Sequence, residues 1–168
     1  HFAAAAAMTV ACALPCAIAQ AEDEVVMLAG SDSQVDFPRI ASARFVTALA
    51  WVEKQPAGLD WVRLVVLKDG VLPSGKFFPA ARVVSPLEVG RNSDPAVAID
   101  PVSAQPSVVW LHTDAGMNSL QYNDRGRTIE TITTSPNLLD PPTLAFTAKG
   151  EAYVAWSEIA GSKLQLFV

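Results

Sequence analysis

The chain has 168 residues, 51% of them apolar and 17% charged, with a net charge of −5 and a pI near 4.9. That composition suits a globular protein of one domain. It argues against nucleic acid, which needs a basic face, and the absence of a Lys/Arg cluster argues against a polybasic membrane patch.

Residues 3–21 carry no charge and are dominated by alanine. They end in Ala19-Gln20-Ala21, ahead of the acidic Glu22-Asp23-Glu24. An apolar run, small residues two apart and an acidic start form the pattern of a secretory signal peptide spanning 1–21. The rival readings are a buried Ala-rich helix, a membrane anchor or a lipoprotein acylated at Cys12. The run is short for a span and is interrupted by Pro15. Thr9-Val10-Ala11 is a poor tripeptide before an acylated cysteine. No Lys or Arg precedes the apolar run, and the chain begins with His1, so the true N-terminus is expected to lie upstream. Both cysteines, Cys12 and Cys16, fall in this segment. The mature protein is therefore expected to have no disulfide and no thiolate metal site. A short lead-in strand, Val25 to Leu28, is placed within 22–35.

From residue 36 onward three segments share one plan. Each opens with Pro-x-apolar-Ala, at Pro38-Arg39-Ile40-Ala41, Pro95-Ala96-Val97-Ala98 and Pro142-Thr143-Leu144-Ala145, with Asp36, Asp94 and Asp140 just upstream. Thirteen to fifteen residues after the proline comes an apolar run ending in Trp51, Trp110 or Trp156. A third alternating segment follows, at Val62-Arg63-Leu64, Leu120-Gln121-Tyr122 and Leu164-Gln165-Leu166. In the first two units a turn at Asp69-Gly70 or Asp124-Arg125-Gly126 leads to a fourth β-rich segment. The segments are short, rich in β-branched, leucine and aromatic residues, and punctuated by Pro, Gly, Asp and Asn, so they read as strands. Strands are expected near 38–42, 45–53, 61–68, 77–84, 95–99, 107–113, 118–123, 127–133, 142–147, 151–157 and 163–167.

The tryptophans lie 59 and 46 residues apart, periods that suit β-propeller blades. The run from Phe45 to Val52 is apolar or small on both faces, as in a strand covered on both sides. The fold class expected is therefore all-β: a partial β-propeller of antiparallel four-stranded blades, about two and a half in number, after the signal segment. The blades are placed at 36–93, 94–139 and 140–168, the last incomplete, with the remaining blades missing from this chain. The rival is a β-sandwich, which explains the strands but not a repeat of four.

Blade geometry puts the loop before strand one and the loop after strand two on one side of the disc. Those loops hold Asp36, Arg39, Asp94, Asp140, Glu53, Lys54, His112, Asp114 and Glu158, and this face is the candidate binding site. Glu53, His112 and Glu158 each lie two residues past the repeated tryptophan. The bland alternatives are that the aspartates cap turns, that His112 is a surface residue and that the tryptophans pack between blades.

The repeat over 36–168 resembles those of bacterial exported propeller proteins of the sialidase-like (BNR-type) group. The resemblance implies fold more than activity. The family's Asp box, Ser-x-Asp-x-Gly-x-x-Trp, is absent. Active members carry an early Arg in Phe/Tyr-Arg-Ile-Pro that binds the substrate carboxylate; here the nearest match is Phe37-Pro38-Arg39-Ile40, with the proline displaced. The resemblance makes Arg39 the carboxylate-binding candidate. The family's further arginines, its Tyr–Glu pair and its acid/base Asp have no counterparts on this chain. Phosphate loops, His-x-x-x-His, zinc-spaced cysteines and EF-hand loops are absent, so no cofactor and no metal are expected. The functional expectation is an exported binding or scaffold propeller, secreted or periplasmic, contacting a glycan or protein, with no membrane span in the mature protein. The alternative is a sialidase-type glycoside hydrolase.

Overall fold

The computed structural model describes residues 34–55, 60–69, 81–86 and 90–168. The expected signal segment, the lead-in strand and the first part of the 77–84 strand lie outside the described residues. Everything described is strand or connection: among the described residues there is no helix, and so none long and apolar enough to cross a membrane.

Among the described residues twelve strands form three sheets. The first sheet contains β1 (Gln34–Ala43), β2 (Val46–Lys54), β3 (Trp61–Lys68) and β4 (Arg82–Val83), in that order. The second contains β5 (Arg91–Ile99), β6 (Pro106–Asp114), β7 (Met117–Asp124) and β8 (Thr128–Ser135), again in sequence order. In the third, β9 (Leu138–Leu139) and β10 (Thr143–Phe146) both pair with β11 (Ala152–Ala160), which pairs on its other side with β12 (Lys163–Phe167). All pairings are antiparallel. The expected all-β chain of antiparallel fours is what the sheets show.

The first strand of each unit differs from expectation in a revealing way. It begins ahead of the aspartate and proline, so that Pro38 and Pro95 lie inside β1 and β5. In β1, Asp36 pairs with Val52 and Arg39 with Ala50, leaving Phe37 and Pro38 opposite Trp51 alone. In β5, Ser93 pairs with Leu111 and Ala96 with Val109, leaving Asp94 and Pro95 opposite Trp110 alone. Two residues facing one is a β-bulge. A proline is tolerated there because it has no N–H to give to the ladder. The residue before it turns to positive φ, 56° at Phe37 and 49° at Asp94. In the third unit that position is Pro141, whose ring forbids positive φ. The strand breaks instead into β9 and β10, with Leu139 opposite Glu158 and Thr143 opposite Ala155. The proline and the tryptophan of the sequence motif are thus two sides of one irregularity.

The register beyond the bulge is the same in each unit. Glu53, His112 and Glu158 pair with Val35, Asn92 and Leu139; Trp51, Trp110 and Trp156 pair with Arg63, Gln121 and Phe167. This corrects the expected match of the third segment. Gln165 pairs with Glu158 and is equivalent to Trp61 and Ser119, not to Arg63 and Gln121.

The sheets stack face to face. From β2 and β3, Ala48, Ala50, Val52, Val62 and Leu64 pack against Ile99, Val108 and Trp110 of the second sheet. From β6 and β7, Val109, Leu111 and Leu120 pack against Leu139, with Leu144, Val154 and Trp156 of the third sheet around them. Alternate residues of β6 therefore enter two different cores, and it is buried on both faces from Pro106 to Leu111. The indole N–H groups of Trp51, Trp110 and Trp156 are buried without a hydrogen-bond partner. Each forgoes about 1–3 kcal/mol of hydrogen bonding. The residue is used here for apolar volume, as the packing reading expects.

At one end of the stack a charged clamp joins the second sheet to the third. The Arg125 guanidinium donates from Nε to Asp100 Oδ2 at 2.8 Å, from Nη1 to Asp124 Oδ1 at 2.7 Å and from Nη2 to the Gly150 carbonyl at 2.6 Å, and it lies over the Phe146 ring. Burial by itself would raise the Asp100 pKa. Donation from the Ser103 hydroxyl, the Val102 N–H and Arg125 outweighs burial and holds the pKa at about 2, below the ordinary 3.8. A lowered carboxylate pKa stabilises the fold above the unfolded-state value and loses that contribution as pH falls through the folded value. Asp100→Asn should lower stability by about 1.5–3 kcal/mol near neutral pH, the worth of hydrogen bonds to a charged group. In urea titrations the gap between the two proteins should narrow as pH falls from about 4 to about 2. A gap that stays constant over that range contradicts the clamp.

Candidate functional site

The residues expected to line a binding face divide by what the register does with them. Asp36, Arg39 and Asp94 are not in loops before strand one, as expected, but within β1 and β5 around the bulge. Asp140 lies in the break between β9 and β10. Glu53, Lys54, His112, Asp114 and Glu158 lie in the last residues of β2 and β6 and near the end of β11. The pairing of Glu53, His112 and Glu158 with Val35, Asn92 and Leu139 places them at the same end of each sheet, near Asp36 and Asp140, whereas Arg39 opposite Ala50 and Asp94 opposite Trp110 lie midway along their strands.

At that end most of the expected ligand-binding groups are engaged by the protein itself. Arg63 donates to Glu53 from Nε at 2.8 Å, and Gln55 donates to the same carboxylate at 2.7 Å. Arg63 also lies over the Trp61 ring, 4.7 Å from its centre. Glu158 accepts from the Ser135 hydroxyl and from Asn137 Nδ2, each at 2.6 Å. Those two bonds hold the Glu158 carboxyl below its ordinary pKa. They also fasten the connection between the second and third sheets. Ser157 donates to Asp140 Oδ2 at 2.5 Å, and the Asp140 N–H donates to the Ser157 carbonyl.

His112 belongs to a relay that crosses between sheets. Lys54 Nζ is 2.8 Å from the buried carboxylate of Asp60. Asn92, also buried, donates from Nδ2 to the Asp60 carbonyl and meets His112 Nδ1 through Oδ1 at 2.9 Å. Because the Asn92 amide N–H₂ is committed to Asp60, its oxygen must accept, and Nδ1 of His112 must carry the proton. The ring also rests on Gly90, where a Cβ would collide with it; Gly90 has φ of 142°.

Arg39, Asp94 and Asp114 stand apart. Arg39 is exposed and donates from Nη1 to its neighbour's carbonyl, that of Pro38, at 3.1 Å. Asp36 accepts from Gln34, and no ion pair joins it to Arg39. Asp114 is exposed at the end of β6, and Asp94 is the positive-φ bulge residue. The turn-capping alternative for the aspartates is corrected as well. The capping aspartate is Asp100, which accepts from the Val102 N–H at 2.8 Å and from the Ser103 hydroxyl.

The residues missed at the sequence level are Asn92, Asp60, Ser135 and Asn137 at this end and the Asp100–Arg125 pair at the other. A usable signal existed for some of them. Ser-Pro recurs after the fourth strand, at Ser85-Pro86 and Ser135-Pro136. Both serines are buried and used, Ser85 accepting from the Val62 N–H at 3.0 Å. Asp100-Pro101 is a turn-initiating dipeptide.

The relay makes a spectroscopic prediction. The neutral imidazole of His112 should be the Nδ1–H tautomer, read from long-range proton–nitrogen correlations. Gly90→Ala should release it to the Nε2–H form that predominates in free histidine. An Nε2–H tautomer in the parent protein contradicts the arrangement.

Comparison of the chain with protein-family models, with curated proteins and with solved structures finds no match in any of the three.

Proposed function

We propose that the three sheets are consecutive blades of a β-propeller belonging to an exported protein, and that it works as a binding or scaffold module. Its partner, a glycan or a protein, is met through one face of the disc, at Arg39, Asp94 and Asp114. The observation that carries the reading is the threefold register. One pairing scheme recurs, across a bulge in two units and a break in the third, while the residues at the strand ends change chemistry, as in a repeat that keeps its scaffold and varies a surface. The uncharged segment 3–21 supports export.

Binding is favoured over catalysis by the use of the carboxylates. Glu53, Glu158 and Asp140 are held by donors of the scaffold itself, at 2.8 Å or less. A hydrolase of sialidase type is the second reading, and one feature favours it. Arg39 is a long, exposed cation with no carboxylate partner among the described residues, where the equivalent positions hold Ala96 and Thr143. An arginine so placed suits a carboxylate ligand, which it can grip bidentately.

Affinity for sialic or uronic acid, measured by calorimetry, should fall about tenfold or more in Arg39→Ala. It should fall nearly as far in Arg39→Lys, which keeps the charge but loses the planar fork. Unchanged affinity in both variants, with folding intact, removes Arg39 from the site and the hydrolase reading with it.

A further inference from the structure

The common register assigns a partner to each inter-sheet face in turn. On the first sheet, Ala50, Val62 and Leu64 are covered by the second sheet, with Trp110 seated among them. Their equivalents on the second sheet are Val109, Leu120 and Tyr122, gathered with Trp156 and Leu144 of the third. The next step along the series is Ala155, Leu166 and Val168, on the face of the third sheet turned away from the second. Val62 and Leu120 are 0% exposed, but Leu166 is 77% exposed.

That face is apolar well beyond the equivalent positions. Leu138, Tyr153, Ile159 and Leu164 are exposed on it beside Leu166 and Val168, and it carries no charged side chain. An antiparallel sheet facing water alternates apolar with polar residues, so a continuous apolar face marks a surface made to be covered. Among the described residues no strand pairs with the outer edge of β12, where β3 and β7 each carry a fourth strand.

We propose that this face receives a further four-stranded sheet of the same repeat, its second-strand indole seated against Ala155 and Leu166. The inference rests on the stacking part of the reading above and is independent of ring closure and of any ligand at Arg39. The repeat identifies the occupant, since the same face is covered in the same way twice already. A second copy of this chain does not supply it. The outer face of the first sheet, the natural mate in a head-to-tail pair, already has Trp51 and Val65 buried, at 5% and 1% exposure. In a back-to-back pair of third sheets no indole would reach the contact, because Trp156 faces the second sheet and stacks on Phe167.

The register supplies the test. Val168 is equivalent to Tyr122, so a chain of residues 1–168 followed by a second copy of residues 123–168 continues β12 through a turn into a fourth strand and then into a new unit. Hydrogen exchange read by mass spectrometry should show the appended copies of β10–β12 protected to the level of the originals. Leu166→Asp should lower the unfolding midpoint of the lengthened chain as much as Leu120→Asp does, and should leave that of the 168-residue chain unchanged. Trp156→Ala in the appended copy alone should cost that copy its protection while residues 91–137 keep theirs. An appended copy that exchanges at unfolded rates beside a protected second sheet overturns the proposal. So does a stable dimer of the 168-residue chain that Leu166→Asp dissolves, because the face would then belong to a second copy.

Discussion

A proline placed opposite a tryptophan organises this chain. In a regular antiparallel ladder every second residue exchanges hydrogen bonds with the residue opposite it, and a proline at such a position, having no N–H, leaves a gap. Here the gap is absorbed by a bulge in which Phe37-Pro38 or Asp94-Pro95 faces a single tryptophan. A bulge fixes register, because pairing can slip past it only by breaking the ladder again. With register fixed, Ala48 and Ala50 face the next sheet, and Trp110 and Trp156 face the previous one. Stacking follows from that assignment, since Trp110 is received among Ala50, Val62 and Leu64.

The same constraint explains how much could be read before the structure. The Pro-x-apolar-Ala motif and the tryptophan were both legible because the bulge needs one and the inter-sheet core needs the other. Where the strand begins was not legible. Gln34–Asp36, Arg91–Ser93 and Leu138-Leu139 have little in common, and a proline ordinarily marks a strand's start rather than its middle. The third segment of the last unit was aligned two residues out for a different reason. Leu164-Gln165-Leu166 has the apolar-polar-apolar form of Val62-Arg63-Leu64, whereas the true counterpart Leu166-Phe167-Val168 is apolar throughout, and a period of two cannot detect a shift of two.

The candidate site was legible in position but not in role. Counting two residues past each tryptophan found Glu53, His112 and Glu158, which do share one register position. What each does depends on partners supplied by other strands: Arg63 for Glu53, Asn92 for His112, and Ser135 with Asn137 for Glu158. Those partners lie 10 to 23 residues away in sequence. Apart from the recurring Ser-Pro that marks Ser135, no local pattern announces them. Two of the three positions link separate parts of the stack, so one end of it is both varied in chemistry and internally braced. Among the expected site residues, Arg39 and Asp114 are left exposed.

One register is used three times, across a bulge in the first two units and a break in the third. Its most direct measurement is the set of cross-strand proton contacts between first and second strands in solution. The account predicts contacts joining Val35 to Glu53, Asn92 to His112 and Leu139 to Glu158. It also predicts contacts joining Arg39 to Ala50, Ala96 to Val109 and Thr143 to Ala155, so that the tryptophan of each unit faces the interrupted stretch. Unbroken pairing through Pro38 or Pro95, or a different offset in any one unit, would contradict it.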